Sequence, residues 1–285
     1  MINYNKLTVF FVSYFSKKKI EKIIKKLDKK IKILIIDNAN EVGIKKYFEN
    51  KYKNTKVICN KHNSGQTGGI NTGLKNINTK YSIYMDADIS FKKNTLINFL
   101  IIAEKVKNFI ILAPQHEKSE YIESFKSKKK NKFKNLILMK IVHGHFLLFN
   151  MKAVKKFGYY DEKIFLYYDE TDYCLRAYKK NYNIYVLPKE KVKHEGGKSV
   201  DIGKNLEVEA NKHWHFMWSK FYFYKKHYST FYAYKQTLFD LIKIFTKVII
   251  FSFIDVRKRI IYYNQLKGLI NSYIGNKSFK RLKIN

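Results

Sequence analysis

Short apolar runs alternate with amphipathic stretches from the start of the chain to Leu112. Val9–Val12 has the pattern of a buried strand, and Lys17–Leu27 that of a helix carrying Ile20, Ile23, Ile24 and Leu27 on one face. Ile33–Ile36 is a second strand, stopped by Asp37-Asn38. Val42–Asn50 is a short helix and Lys56–Cys59 a third strand. A polar, glycine-bearing loop, Asn63–Gly69, leads into a helix that runs through Leu74. Tyr81–Met85 is the next strand, broken by Asp86-Ala87-Asp88. A helix over Asn94–Val106 and a strand at Phe109–Leu112 follow. This alternation predicts an α/β fold with a mostly parallel sheet and helices on both faces. Ligands in such sheets gather beyond the carboxyl ends of the strands. Asp37, Asn63–Gly69 and Asp86–Asp88 all fall at those ends, so a nucleotide is expected there.

The pattern is weaker further on. Gln115–Asn135 is a lysine-rich excursion without periodicity, expected to be a mobile loop. Phe146–Phe149 and Ile184–Leu187, the latter ending before Pro188, are strand-like, and Glu170–Lys180 is helical. There is no internal repeat. From His213 the composition changes. His213–Tyr234 contains Trp214, Trp218 and nine further Phe and Tyr residues, and residues 213–285 carry 14 Lys and Arg against Asp240 and Asp255 alone. Two parts are therefore expected: a nucleotide-binding α/β domain over 1–205 and a helical, aromatic and basic extension over 206–285. Wide apolar helical faces edged with lysine suit an anionic membrane surface, and equally a helical hairpin packed on the first domain.

The net charge of +34 changes the picture less than its size implies. Lysine supplies 53 of the 57 basic residues, alongside abundant Ile, Asn, Phe and Tyr and only two prolines. AT-rich codons favour all of these, so charge alone is no signature of nucleic-acid binding. A nucleic-acid partner would use the charge and stack bases on the aromatic run. It would leave the acidic motifs unexplained, and none is expected. Cys59 and Cys174 form neither a disulfide framework nor a zinc cluster, as suits a reducing cytosol. Met1–Phe15 lacks a basic region followed by an apolar run, so export is not expected. The best spanning candidate, Leu238–Ile254, is interrupted by Asp240, Lys243 and Lys247.

Acids are scarce, so their clusters carry information. Asp86 and Asp88 flank one alanine at a strand end, where hard carboxylate oxygens suit Mg²⁺ or Mn²⁺ bridging to a diphosphate. Asp161, Glu162, Asp169, Glu170 and Asp172 place five acids within twelve residues, an unfavourable grouping unless a cation, a catalytic role or neighbouring lysines compensate. Asp172 and Arg176, four apart on one helix face, are placed to pair, which gives Arg176 a structural role.

With these motifs in order, the sequence resembles the family 2 glycosyltransferases of GT-A fold, in particular rhamnosyltransferase-like bacterial members. The likeness covers roughly residues 7–200, with a looser match to Gly275. Val12-Ser13-Tyr14 resembles the family's first strand end, and Ile35-Ile36-Asp37-Asn38 the strand whose aspartate meets the base. Asn63-Ser64-Gly65 with Gly69-Ile70-Asn71-Thr72-Gly73 is similar to the segment beside the nucleotide. Asp86-Ala87-Asp88 falls at the metal motif. Gly144 with Phe146–Phe149 resembles the border of the acceptor site, with His143 and His145 flanking that glycine. Gly158–Glu162, Phe165–Arg176 and His194-Glu195-Gly196-Gly197-Lys198-Ser199 match the remaining motifs.

The resemblance implies a metal-dependent, inverting transferase. It assigns Ser13, Asp37, Asn63, Gly65, Asn71, Asp86 and Ala87 to the nucleotide sugar, and Gly144 and His145 to the acceptor side. Asp88, Asp86 and His194 would hold Mn²⁺ or Mg²⁺. The family's Glu-Asp pair is reversed here as Asp169-Glu170, so position gives the general base to Glu170, with Asp169 as the alternative. The implied partners are a dTDP- or UDP-sugar, rhamnose among the candidates, and a glycan or lipid-linked acceptor. The implied place is the cytoplasm, on the inner face of an anionic membrane. The reversed pair leaves open a non-catalytic, nucleotide-sugar-binding scaffold of a glycan-assembly complex.

Overall fold

The computed structural model describes residues 3–117, 121, 123–196 and 205–282. The chain divides into two compact units. One comprises 1–64, 68–160 and 170–201, and the other 65–67, 161–169 and 202–285.

In chain order the elements are β1 (Leu7–Ser13), α1 (Lys17–Ile24), β2 (Lys32–Asp37), α2 (Ile44–Lys51), β3 (Thr55–Cys59) and α3 (Gly65–Lys75). Then come β4 (Tyr81–Met85), β5 (Ile89–Phe91), α4 (Thr95–Val106), β6 (Ile111–His116) and β7 (Ile137–Met139). β8 (Phe146–Asn150), α5 (Met151–Phe157), α6 (Asp169–Lys179) and β9 (Ile184–His194) follow. Among the described residues the strands form one mixed sheet in the order β3-β2-β1-β4-β8-β6-β9-β5, with β7 paired to β9. The half built from β3, β2, β1 and β4 is wholly parallel. β8 runs antiparallel to both β4 and β6, and β6 and β9 are parallel.

Strand alternation sorts the core into two layers. Val9 and Phe11 of β1, Ile33 and Ile35 of β2, and Ile83 and Met85 of β4 face one cluster, with α1 (Ile20, Ile23, Ile24), α2 (Ile44, Phe48) and α4 (Leu96, Phe99). Phe10, Leu34, Ile36 and Tyr84 face the other, with α3 (Ile70, Leu74), α5 (Met151, Val154) and α6 (Tyr173, Cys174, Ala177). Helices thus cover both faces, as the alternation predicts. α3 lies close to β1 because position 73 is glycine: a Cβ there would come within 2.5 Å of the Phe10 ring.

The structure corrects several boundaries. α3 begins at Gly65, so all of the expected Asn63–Gly69 loop but its first two residues is helix; the left-handed φ of +74° at Gly65 makes the turn into it. β9 continues past Pro188 to His194. The ladder slips between Leu187 and Lys191, so the proline falls in an irregular stretch where no ladder amide is required. In the 115–135 excursion, Gln115 and His116 finish β6 and Glu123–Phe125 form a 3-10 turn. Tyr121 is buried with its hydroxyl donating to the Pro114 carbonyl at 3.2 Å, so this part is anchored. Residues 118–120 and 122 lie outside the described residues.

The Asp172–Arg176 pair forms as its spacing predicts. Arg176 Nε donates to the fully buried Asp172 carboxylate at 2.7 Å, and Nη2 to the Tyr159 carbonyl at 2.9 Å. Arg176→Ala removes the charge that compensates a buried carboxylate, and is expected to lower stability by about 3 kcal/mol. Chemical denaturation followed by circular dichroism checks this; a loss under about 1 kcal/mol would show that the pair contributes little.

The helical unit contains α7 (Leu206–His227), α8 (Thr230–Ile254) and α9 (Val256–Tyr273). Each starts on a side-chain cap. Asn205 accepts from the Glu207 amide at 2.8 Å, Ser229 from Tyr232 at 3.0 Å and Asp255 from Lys258 at 3.1 Å. The helices share a core of Met217, Phe221, Ala233, Ile244 and Leu269. α7 and α9 touch at Gly268, where a Cβ would stand 2.1 Å from the Trp214 carbonyl oxygen. The aromatic run of α7 fills this unit, with Trp214, Trp218, Phe221 and Phe223 buried.

Candidate active site

The carboxyl ends of β1, β2 and β3 carry a polar cluster. Ser13 and Asp37 are ladder neighbours, and the Asn38 amide donates to the Ser13 carbonyl at 2.8 Å. Asp37 is buried and accepts from the Ala39 and Glu41 amides at 3.0 and 2.7 Å. Burial raises its carboxyl above the usual range, and the two amides offset this only in part. The Ser13 hydroxyl is buried without a hydrogen-bond partner among the described residues. Next to it, Asn38 Oδ1 accepts from Asn60 Nδ2 (2.7 Å) and Ser64 Oγ (3.0 Å). Ser64 belongs to the expected Asn63-Ser64-Gly65 segment, whereas Asn60, which directly follows the last residue of β3, has no motif of its own.

Two residues expected beside the nucleotide, Asn71 and Gly65, also make contacts within the fold. Asn71 is buried, and its amide brackets the Tyr160 backbone, donating to the carbonyl at 3.0 Å and accepting from the N–H at 2.9 Å. Gly65 permits close approach instead, since a Cβ there would lie 2.3 Å from the Phe165 carbonyl oxygen. Asn63 stands in the turn before α3, half-buried.

The turn after β4 makes the second half of the site. The Asp86 amide donates to the His145 carbonyl at 3.0 Å, and the Tyr84 hydroxyl donates to Asp86 Oδ1. Ala87 and Asp88 are buried. β5 then pairs antiparallel with the end of β9, Ile89 opposite His194, and the Glu195 amide donates to the Asp88 carbonyl at 3.2 Å. This three-residue ladder brings together motifs 106 residues apart in sequence. His194 Nε2 stands 3.2 Å from Asp88 Oδ1 and 3.5 Å from Asp86 Oδ2. One ligand atom from each of the three lies within 4.8 Å of the others. Burial works against the imidazolium form of His194. The hydrogen bond to Asp88 and the two carboxylate charges outweigh it, and the net shift is upward.

Four of the eight histidines gather here. His145 stacks on His194 with ring centres 4.9 Å apart, His143 stacks on His145 at 5.8 Å, and His116 meets His145 edge-on at 5.5 Å. Burial, reinforced by its histidine neighbours, lowers His145 to about 3, so it stays neutral and acts as a flat wall. Between His143 and His145 lies Gly144. A Cβ there would be 3.1, 3.2 and 3.4 Å from Cβ, Cγ and Cδ of Glu170, so the Glu170 side chain rests directly on this glycine. Glu170 and Asp169 both belong to the first turn of α6, and consecutive helical residues point about 100° apart. Two residues in the left-handed region, Tyr167 (φ +63°) and Tyr168 (φ +62°), come just before that turn. Such conformations cost on the order of 1–3 kcal/mol each and cluster at functional sites. Of the His194-to-Ser199 motif, Gly197, Lys198 and Ser199 lie outside the described residues.

A family model described as "Glycosyl transferase family 2" matches residues 8–158, more than half of the chain. The chain belongs to glycosyl transferase family 2. The matched stretch runs from β1 through the Asp86–Asp88 turn and Gly144 to Gly158. The low-salt glycan biosynthesis hexosyltransferase Agl10 of Haloferax volcanii is 21% identical over 197 residues, covering 62% of this chain; the chain spans 63% of that relative's length. Among solved structures, the mannosyltransferase PcManGT from Pyrobaculum calidifontis in complex with GDP-Man and Mn²⁺ superposes with a TM-score of 0.57 at 13% identity, over 94% of this chain and 86% of that one. S. aureus TarS 1-349 in complex with UDP-GlcNAc gives 0.53 at 13% identity, over 95% and 92%. GalNAc-T7 with UDP, GalNAc and Mn²⁺ gives 0.55 at 13% identity, over 83% and 57%. These likenesses show the fold: the family 2 chain has a GT-A-like mixed sheet and a C-terminal helical extension.

Proposed function

We propose that this family 2 chain is an inverting hexosyltransferase that moves a sugar from a nucleotide diphosphate to a hydroxyl of a glycan or lipid-linked acceptor. The convergence of Asp86, Asp88 and His194 at the end of β4 carries this reading. Two carboxylates and an imidazole within 4.8 Å suit a divalent cation. A nitrogen in the set favours Mn²⁺ over Mg²⁺, which keeps an oxygen shell. Bound there, the cation supplies Lewis-acid neutralisation of the diphosphate leaving group.

The remaining chemistry belongs to the chain. Ser13 and the Asp37–Asn38 turn offer polar groups to the nucleoside at the strand ends. Glu170, set against Gly144, takes the proton from the acceptor hydroxyl as that oxygen attacks the anomeric carbon from the side opposite the diphosphate. The neutral His145 ring bounds the space and excludes water. The donor is a dTDP- or UDP-hexose, rhamnose included. The protein works in the cytoplasm, peripherally on an anionic membrane where a lipid-linked acceptor is found. Among the described residues no helix is long and apolar enough to cross a membrane.

A thermal-shift screen against UDP, dTDP, GDP and CMP, each with and without Mn²⁺, tests the reading. A hundredfold excess over Kd stabilises by about 2.7 kcal/mol, a rise of roughly 5 °C or more at this size. Expected is a rise with one uracil- or thymine-bearing diphosphate that requires the cation. No response to any nucleotide would sink the donor reading.

A further inference from the structure

The inward rings of α7, Trp214, Trp218, Phe221 and Phe223, are buried inside the helical unit, so they are not what meets a membrane. α8 is different. Ala233, Thr237 and Ile244 turn inward and are buried. On the opposite side Phe231, Leu238, Ile242, Phe245, Ile249 and Phe253 follow one another at steps of seven, four, three, four and four residues. That spacing makes one straight stripe, about 33 Å long at 1.5 Å per residue. All six are between 49% and 87% exposed. Monomeric proteins rarely leave so long an apolar surface in water.

We propose that this face of α8 lies in the plane of an anionic lipid surface, with the six side chains entering the acyl boundary. This rests on the reading of the protein as peripheral on a membrane, and assigns that contact to one helix face. The charges choose the occupant. Residues 230–273 hold seven Lys and Arg against Asp240 and Asp255. Both acids are engaged, Asp240 by Lys220 and Asp255 as the cap of α9. Lys235 lies within the stripe and Lys243 along its edge, with Arg257, Lys258 and Arg259 exposed just beyond its end. Anionic headgroups answer these cations, and long lysine stems let the ammonium groups stay at headgroup level while the aliphatic part is buried. A second copy of the chain does not. A copy of this face carries the same lysines and offers them no carboxylate, since the two acids of residues 230–273 are both engaged.

The test is cosedimentation of the full chain with vesicles containing 30% phosphatidylglycerol in phosphatidylcholine, compared with pure phosphatidylcholine. The expected result is binding to the anionic vesicles, reduced but not abolished at 0.5 M NaCl. It should weaken at least tenfold in the triple variant Ile242→Ser, Phe245→Ser, Ile249→Ser. Nucleotide thermal shifts unchanged in that variant show that its fold and donor site are intact, so failure here is distinct from failure of the transferase reading. A single variant, Phe245→Trp, gives a second readout: brominated lipid should quench the added indole. Undiminished vesicle binding by the triple variant overturns the proposal. So does a wild-type dimer that the triple variant converts to monomer, or an added indole that brominated lipid leaves unquenched.

Discussion

Asp88→Ala is expected to lose Mn²⁺-dependent nucleotide stabilisation altogether and to reduce kcat/KM at least a thousandfold. Asp88 is the buried member of the trio, 3.2 Å from His194 Nε2, on a turn fixed by the β5–β9 ladder. Its removal leaves one carboxylate and one imidazole, too few protein ligands to hold a labile divalent cation at micromolar concentration. A thousandfold corresponds to about 4 kcal/mol of barrier, a reasonable share for the group that organises charge on the leaving diphosphate. Asp86→Ala should be milder in nucleotide binding, because Asp86 is more open and is also held by Tyr84. Mn²⁺ titration by isothermal calorimetry, together with turnover, checks both. Activity of Asp88→Ala within tenfold of wild type would end the metal reading, since no other group of three His, Cys, Asp or Glu among the described residues could take over.

The ease of reading this site from sequence tracked how local each feature is. β1, β2 and β4 are buried on both faces and read as dense apolar runs, so their ends, and with them Ser13, Asp37 and Asp86–Asp88, can be placed from hydropathy alone. β5, β7 and α5 were invisible because elements of three to seven residues carry no period. β5 matters most of the three, since it alone explains how His194 reaches Asp88. That meeting was implied by family resemblance and by nothing in the residues' own spacing. Tyr84 passed for an ordinary apolar strand residue, and its bond to Asp86 needed coordinates to see. Asn71, assigned to the nucleotide by resemblance alone, also has a role in the fold that its sequence context does not reveal, since its buried amide satisfies the Tyr160 backbone. In the helical unit, aromatic density drew attention to α7. The surface that departs from normal burial belongs to α8, and composition cannot tell a filled face from an empty one.

Glu170→Gln separates an enzyme from a binding scaffold. The expected result is a fall in kcat of about a thousandfold, within the usual range for loss of a general base, with nucleotide and Mn²⁺ affinities unchanged. The amide is isosteric and fits over Gly144 as the carboxylate does, in space that only the missing Cβ of position 144 leaves open. What it lacks is a basic oxygen for the acceptor proton. Asp169→Asn is the paired measurement. Asp169 and Glu170 are consecutive on α6, and the atoms nearest to a Cβ at Gly144 all belong to Glu170. Asp169→Asn is therefore expected to keep turnover within about tenfold. If the two outcomes are exchanged, the base is Asp169 and the reversed pair has kept the family chemistry through a shift of the helix start. If neither substitution lowers a measurable turnover, base catalysis by this turn is wrong. If wild type shows tight nucleotide-sugar binding and no transfer to any hydroxyl acceptor, the acidic turn has kept its place in the fold without its chemistry, and the scaffold reading takes over.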